Sequence, residues 1–408
     1  MMSCTGPKLR GVQFSFGQWQ GQPVVVIQDP LKLSDRAIAI PQSIAPILQL
    51  CDGSRDTSTL RSALELRTGL SLGLDYIDKL IAELDEALLL DNEHFAQVYS
   101  DEVEKFRAAL SRPPTMAGTV YPSSPEALES ALLEYFNMSP PQGDDGPELE
   151  QVRGLVSPHI DYQRGGAVYA EVWRQVAKAA RSSDVAIILG TDHFDSKNLF
   201  TLTRQGYSTP MGMLSTAGDI VDEVVTALGE GVFDEELHHR AEHSVETAAV
   251  WFHYLVRDRF CEIVPVLCGS FHRFIEGDMQ PSEDKEVNLF VNSIRKATAD
   301  RRSLIVAAGD LAHVGPAFGD RYPIGLAEKN SLSAADSELM GTIARGDAEG
   351  MFLQVKREGD RRRICGLAPI YLALRILGET KGKITGYAQC PADQQETSFV
   401  SICGILLS

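Results

Sequence analysis

An α/β architecture, with a mainly parallel central sheet flanked by helices and a small α+β module ahead of it, is predicted by three features of the chain. Beyond residue 150, short apolar runs alternate with longer segments of helical period, the arrangement that yields a parallel sheet covered by helices. The first hundred residues instead carry two short β-like stretches leading into amphipathic helical segments. The chain is 408 residues long, 44% hydrophobic and 23% charged, which is enough apolar material for more than one core.

In the N-terminal module, residues 23–28 and 37–40 read as strands, and residues 47–52 form an apolar segment that ends at Gly53. Residues 57–68 place Leu60, Ala63 and Leu64 on roughly one helical face. Residues 75–89 repeat Ile77, Leu80, Ile81, Leu84 and Leu88 at three- and four-residue intervals. The plainest outcome is a helical hairpin packed on itself. The pair Pro113-Pro114 interrupts the helical pattern of 101–111, so a boundary is expected near 112–114, dividing the chain into residues 1–111 and 112–408. A Pro-, Gly- and Asp-rich loop is expected at 140–147. After it, strands are expected at 154–157, 185–190, 262–269 and 304–308. Helices are expected at 166–180, 243–257, 284–298, 334–343 and 366–377.

A formal net charge of -18 repels phosphates over most of the surface, which disfavours nucleic acid and anionic membranes as partners. Small ligands, metal cations and proteins remain. The seven cysteines are scattered and odd in number, without the paired spacing of a zinc ribbon or a disulfide framework, and read as thiols in a reducing compartment. Residues 1–21 carry Lys8 and Arg10 but no continuous apolar stretch after them, so no signal peptide is expected. No apolar run is long enough for a bilayer. The expected location is the cytoplasm.

Three of nine histidines follow expected strands: His159 after GLVSP, His193 after VAIILGTD, and His313 after LIVAAGDLA. Residues beyond the carboxyl ends of parallel strands line a common crevice. Asp310 adds a carboxylate, one turn before His313 if that segment is helical, and Asp161 and Asp192 add a short acidic reach. Imidazoles with a carboxylate make a usual set for a divalent transition metal. A lone histidine beyond a strand is, however, more often a satisfied loop residue than a ligand.

The segments SPHIDYQRGG, ILGTDHF, AEHSVETAAVWFHYL, VPVLCGS, AAGDLAHVG, RRICGLAPI and TSFVSICGILLS, preceded by MAGTVYP, resemble in order and spacing the signature segments of the Memo family. In bacteria and archaea its members are called AmmeMemoRadiSam system protein B. The resemblance covers residues 116–408 and implies a fold related to class III extradiol dioxygenases. It implies a metal pocket of His159, His193 and His313, with Asp310 and Cys365 completing or tuning it. Cys365 sits at the expected start of a helix, where the helix dipole favours thiolate. The alternative is an inert, buried thiol. His243, in EHSVE, is implied as a secondary residue facing the crevice beside Glu242, with helix capping as the alternative.

This sequence departs from the family at Met116, where the signature usually has histidine. It also departs at Asp161 and Arg164 after His159, and at Asp192 before His193. These changes read either as altered substrate preference or as a local salt bridge. His238 and His239, adjacent in a polar stretch, read as solvated. His253 reads as lying on a helix flank, His272 as within reach of the crevice, and His94 has no assigned role.

The expected function is a metal-dependent, redox-active enzyme with Fe(II), or alternatively Cu, acting on a small molecule or peptide. In it, Asp310 or His243 moves the proton. The competing expectation is a non-catalytic metal- or peptide-binding scaffold. The family's system name implies association with AMMECR-type and radical SAM proteins. A third reading is metal-independent hydrolysis with Cys365 as nucleophile. Residues 51–92 also resemble PqqD-like winged-helix modules, which implies docking of a peptide or partner protein.

Overall fold

The computed structural model describes residues 6–138, 151–194, 196–257 and 259–408, so the loop expected at 140–147 lies outside the described residues. The chain divides into two compact units, Met1–Ala108 and Ala109–Ser408.

In the first unit, β1 (Gln13–Trp19), β2 (Gln22–Gln28) and β3 (Ala37–Pro41) form an antiparallel sheet. Strand β1 is exposed along its whole length, so no buried face marked it in the sequence. Gln20 and Gly21, at φ 50° and 77°, make the tight turn into β2. Four helices follow: α1 (Ile47–Leu50), α2 (Thr57–Thr68), α3 (Leu74–Glu86) and α4 (Glu93–Ala108). The Asp56 side chain accepts from the Thr59 amide to start α2, and Gly69, at φ 72°, ends it. Helix α3 stops before the expected residue 89, and Leu88 takes φ 58°. The apolar stripes of α2 and α3 do not pack only on each other. Leu60, Leu64, Ile77 and Leu84 share a core with Val25, Ile27 and Ile40 of the sheet.

The second unit begins with β4 (Ser111–Arg112) and α5 (Pro125–Met138), followed by β5 (Gly154–Ser157), α6 (Tyr162–Ser182) and β6 (Val185–Thr191). Next come β7 (Phe200–Leu202), β8 (Gly206–Thr209), β9 (Gly212–Leu214), α7 (Gly218–Leu228), α8 (His238–Ala241) and α9 (Ser244–Val256). Then follow β10 (Glu262–Cys268), α10 (His272–Glu276), α11 (Lys285–Thr298), β11 (Ser303–Ala308) and β12 (His313–Val314). The chain closes with α12 (Leu326–Ala344), α13 (Ala348–Arg357), α14 (Leu367–Leu377), β13 (Gly382–Pro391) and β14 (Phe399–Leu407).

The large sheet has the order β12-β14-β5-β11-β6-β10-β7, with β13 on β14. Only its centre, β5-β11-β6-β10, is parallel. Strands β7, β12, β13 and β14 join antiparallel, so the sheet is mixed rather than mainly parallel. The four expected strands are this parallel centre. Helices cover both faces, as the alternation of the strands requires: Ile187 and Leu189 pack into one core with α7, α11 and α14, while Ala186 and Ile188 pack into the other with α6 and α9. A second small sheet, β4-β8-β9, borders the unit.

Candidate metal centre

Close approaches at two glycines assemble the site. Gly309 follows β11 directly, and a Cβ there would lie 2.5 Å from the Gly366 Cα at the start of α14. Only glycine allows that packing, which sets Asp310 beside Cys365. At the end of β6, a Cβ on Gly190 would lie 2.5 Å from the Ser244 Oγ, which is how the start of α9 reaches the residues after β6. Neighbouring strands β5, β11 and β6 then deliver His159, Asp310 and His193 to one edge of the sheet.

Each imidazole there has an outer acceptor at Nδ1. The His159 Nδ1 is 3.1 Å from the Ala308 carbonyl oxygen, and the His313 Nδ1 is 3.0 Å from that of Arg363. The His193 Nδ1 lies 3.0 and 3.1 Å from the two Glu242 oxygens, and the His243 Nδ1 lies 3.0 Å from the same carboxylate. Donation from Nδ1 leaves Nε2 as the remaining ligand atom of every ring. Glu242 is 1% exposed and also accepts the backbone amides of His193, His243 and Ser244 at 2.9, 2.8 and 2.9 Å. His243 holds the N-cap position of α9 without a side-chain cap bond, so its ring serves the crevice and not the helix end.

The His159 Nε2 points at the Cys365 Sγ, 3.2 Å away, and lies 3.7 Å from the Asp310 Oδ2. His159, His193 and Cys365 place one ligand atom each within 4.8 Å of one another, and Asp310, His313 and Cys365 form a second such group. Cys365 is common to both. The rings of His159, His193 and His243 are mutual neighbours, with centroids 4.8 to 5.1 Å apart. His313 instead packs its ring edge-on against Phe318.

Burial, helped by the neighbouring histidines, pushes His159 well below its ordinary value. Burial also takes His313 down to about 4, and both rings are therefore neutral. Burial likewise opposes a charged His193, but the Glu242 carboxylate holds that ring well above its ordinary value. Asp310 is raised to about 6 by burial. Cys365 lies just ahead of α14, and burial pushes its thiol up, overriding the helix end that was expected to favour thiolate.

Other expectations meet different outcomes. His238 and His239 are buried, not solvated: the His238 Nδ1 is 2.8 Å from the Asp192 Oδ2, while His239 lies between the Tyr207 hydroxyl at 2.6 Å and the Thr201 carbonyl at 3.0 Å. Their side chains diverge as adjacent residues must, but both directions lead into the protein. His253 is buried on α9 against Thr209. His272 is exposed and pairs with Glu276, but, as expected, it reaches the crevice, lining one pocket with Asp192 and Cys365. His94, in the first unit, pairs with Asp85. Asp161 and Arg164 form a local ion pair at 2.5 Å, and Asp161 also caps α6. Met116 packs beside an apolar core, its amide held by Glu246. A buried pair that no sequence motif marks, Arg112–Glu246, closes at 2.5 Å. Both residues are 0% exposed, and Arg112 also donates to the carbonyls of His239 and Glu242, fixing the turn that carries Glu242. No local pattern pointed to it, because its members are more than a hundred residues apart.

Residues 112–406 match the profile of a family described as Memo-like protein. A MEMO1 family protein of Aquifex aeolicus is 26% identical over 388 residues, covering 93% of this chain and 95% of that protein. Homologues of the same description from Methanopyrus kandleri and Methanosarcina mazei are each 28% identical, cover 68% of this chain, and are themselves covered to 92% and 91%.

Proposed function

The chain belongs to the Memo-like family, and on that premise we propose that its second unit is a redox-active iron or copper enzyme acting on a small molecule or peptide. The ligand atoms of His159, His193 and Cys365 lie within 4.8 Å of one another, and this gathering carries the proposal. Two imidazoles and a sulfur, with Asp310 and His313 beside them, fit such an ion: the imidazole–carboxylate side suits Fe(II), and a participating thiolate suits copper. Bound there, the ion would supply one-electron chemistry and open coordination positions.

The protein's own groups do the remaining work. Glu242 fixes the orientation of His193 and His243. Asp310, at about 6, exchanges a proton near neutral pH beside the His159 Nε2. The thiol of Cys365 gives up its proton to ligation, so metal uptake strengthens as pH rises. A relationship to the class III extradiol dioxygenase fold is part of the same reading. So is a cytoplasmic location, supported by six free cysteines among the described residues and by the lack, among them, of any helix long and apolar enough to cross a membrane. The first unit, a small sheet with helices, is assigned PqqD-like recruitment of a peptide or of AMMECR-type and radical SAM partners.

The test is elemental analysis of anaerobically purified protein. Near-stoichiometric iron or copper is expected in the wild type and is lost in His159→Ala and in Cys365→Ala, while His313→Ala retains part of it. Absence of metal in the wild type, or metal unaffected by the first two changes, overturns the proposal.

A further inference from the structure

The metal centre lies at the carboxyl ends of β5, β11 and β6. At the opposite edge of the same sheet, where Arg153 precedes β5 and Arg302 precedes β11, there is a cavity of about 810 Å³. This is the size range of small-molecule sites. Its lining includes Arg153, Lys178, Arg295, Arg301 and Arg302 and, among the described residues, no aspartate or glutamate. The whole chain has 38 basic and 56 acidic residues, so a wall bearing only positive charge runs against the composition of the molecule.

Two of these cations are neutralised from outside the cavity, Arg301 by Asp219 and Arg302 by Asp184. Among the described residues, no aspartate or glutamate side chain pairs with Arg153, Lys178 or Arg295, and Arg153 also donates to the Ser408 oxygen at 3.2 Å. Arg153 donates to the carbonyls of Leu377 and Glu379 at 3.0 and 2.7 Å, and Arg295 donates to those of Ile376 and Arg375. These bonds cap the end of α14 and hold both guanidinium groups in place, but a carbonyl dipole does not cancel a full charge. The same cavity has an apolar side, supplied by Ala179, Ile376 and Leu377. Preorganised cations beside apolar surface recognise an anionic head group carried on an organic body.

We propose that this cavity is a binding site for a small organic phosphate of nucleotide size. The phosphate would lie among Arg153, Lys178 and Arg295, and the organic body would lie against the apolar side. The site is independent of the metal centre. A long polyanion such as nucleic acid would be repelled by the surrounding surface, whereas a small ligand held within about one Debye length of the cations is attracted.

The test is calorimetric titration of the full chain at physiological salt with ADP, inorganic pyrophosphate and adenosine, repeated for Lys178→Glu, Lys178→Arg and His159→Ala. Lys178 is exposed on α6, so its replacement leaves the core intact. ADP is expected to bind more tightly than pyrophosphate, with adenosine binding weakest. Lys178→Glu should weaken ADP by about tenfold or more. Lys178→Arg and His159→Ala should leave it unchanged. The proposal fails if ADP does not bind at concentrations up to about 10 mM, if pyrophosphate binds as tightly as ADP, or if Lys178→Glu has no effect. Loss of binding in His159→Ala would move the phosphate to the metal centre and also overturn it.

Discussion

At the scale of single residues, Glu242 bears the most consequence. It accepts from two imidazoles and three backbone amides while almost wholly buried. Burial alone would raise its pKa, yet His193 and His243 hold it well below the ordinary value, so the carboxylate is charged and paired. Removing one partner of a buried pair leaves the other uncompensated, so Glu242→Gln should destabilise the protein by about 3 kcal/mol. It should also weaken metal binding by roughly ten- to a hundredfold. Urea denaturation and competitive chelation measure the two effects, and unchanged metal affinity would show that the Nδ1 acceptor is dispensable. Two other histidines set an acid limit. Burial takes His239 down to about 3 and His253 to about 4, both below the ordinary 6.5. Between those values the unfolded chain binds protons that the folded rings refuse. Their contribution to stability is therefore complete above about pH 6.5 and is lost progressively as pH falls towards 3. Unfolding midpoints of the wild type should drop across that window, and those of a His239→Gln, His253→Gln variant should drop less.

At the scale of elements, the site depends on strand ends packed tightly against helix starts. Gly309 separates β11 from Asp310 and touches Gly366 ahead of α14. Gly309→Ala forces the two backbones apart, with an expected cost of about 1–3 kcal/mol. Asp310 and Cys365 should separate with it, so metal occupancy should fall further than stability does. Comparing thermal melts with metal content checks this, and full occupancy in a folded Gly309→Ala variant would contradict it. The parallel strands were legible because continuous apolar runs mark strands buried on both faces. Strands β13 and β14 are not legible as strands although the C-terminal segment is legible as a motif: its apolar run, FVSICGILL, is buried at every position and shows no alternation of a half-buried strand. Strand β12 has two residues and exists only because His313 and Val314 pair with Val400 and Phe399. No periodicity can announce so short an element.

At the scale of the whole molecule, each unit has its own core. Within the second, the segment around Arg112 is tied to α9 by the buried Arg112–Glu246 pair, with Tyr121 donating to the same carboxylate. Arg112→Met leaves Glu246 charged and buried, with an expected loss of about 3–5 kcal/mol. The double variant Arg112→Met, Glu246→Leu should recover part of it. Denaturant midpoints of the three proteins decide, and a double variant no more stable than the single would show that the polar network around Tyr121 is the larger contribution.

The sequence by itself determined the family, the four parallel strands, the covering helices α6, α9, α11 and α14, and the identity of the histidines, aspartate and cysteine that gather at the strand ends. Those features reside in local periodicity and in ordered motifs, which a chain carries before it folds. Only the tertiary structure decided that Cys365 is shared by two ligand groups and that His243 joins His159 and His193 more closely than His313 does. It also decided that His238 and His239 point inwards, and that five basic residues of an acidic protein gather at one cavity. Each of these depends on side chains distant in sequence meeting in space, and on the burial that follows. Charge, tautomer and ligand geometry are set by that environment and not by the residue's neighbours along the chain.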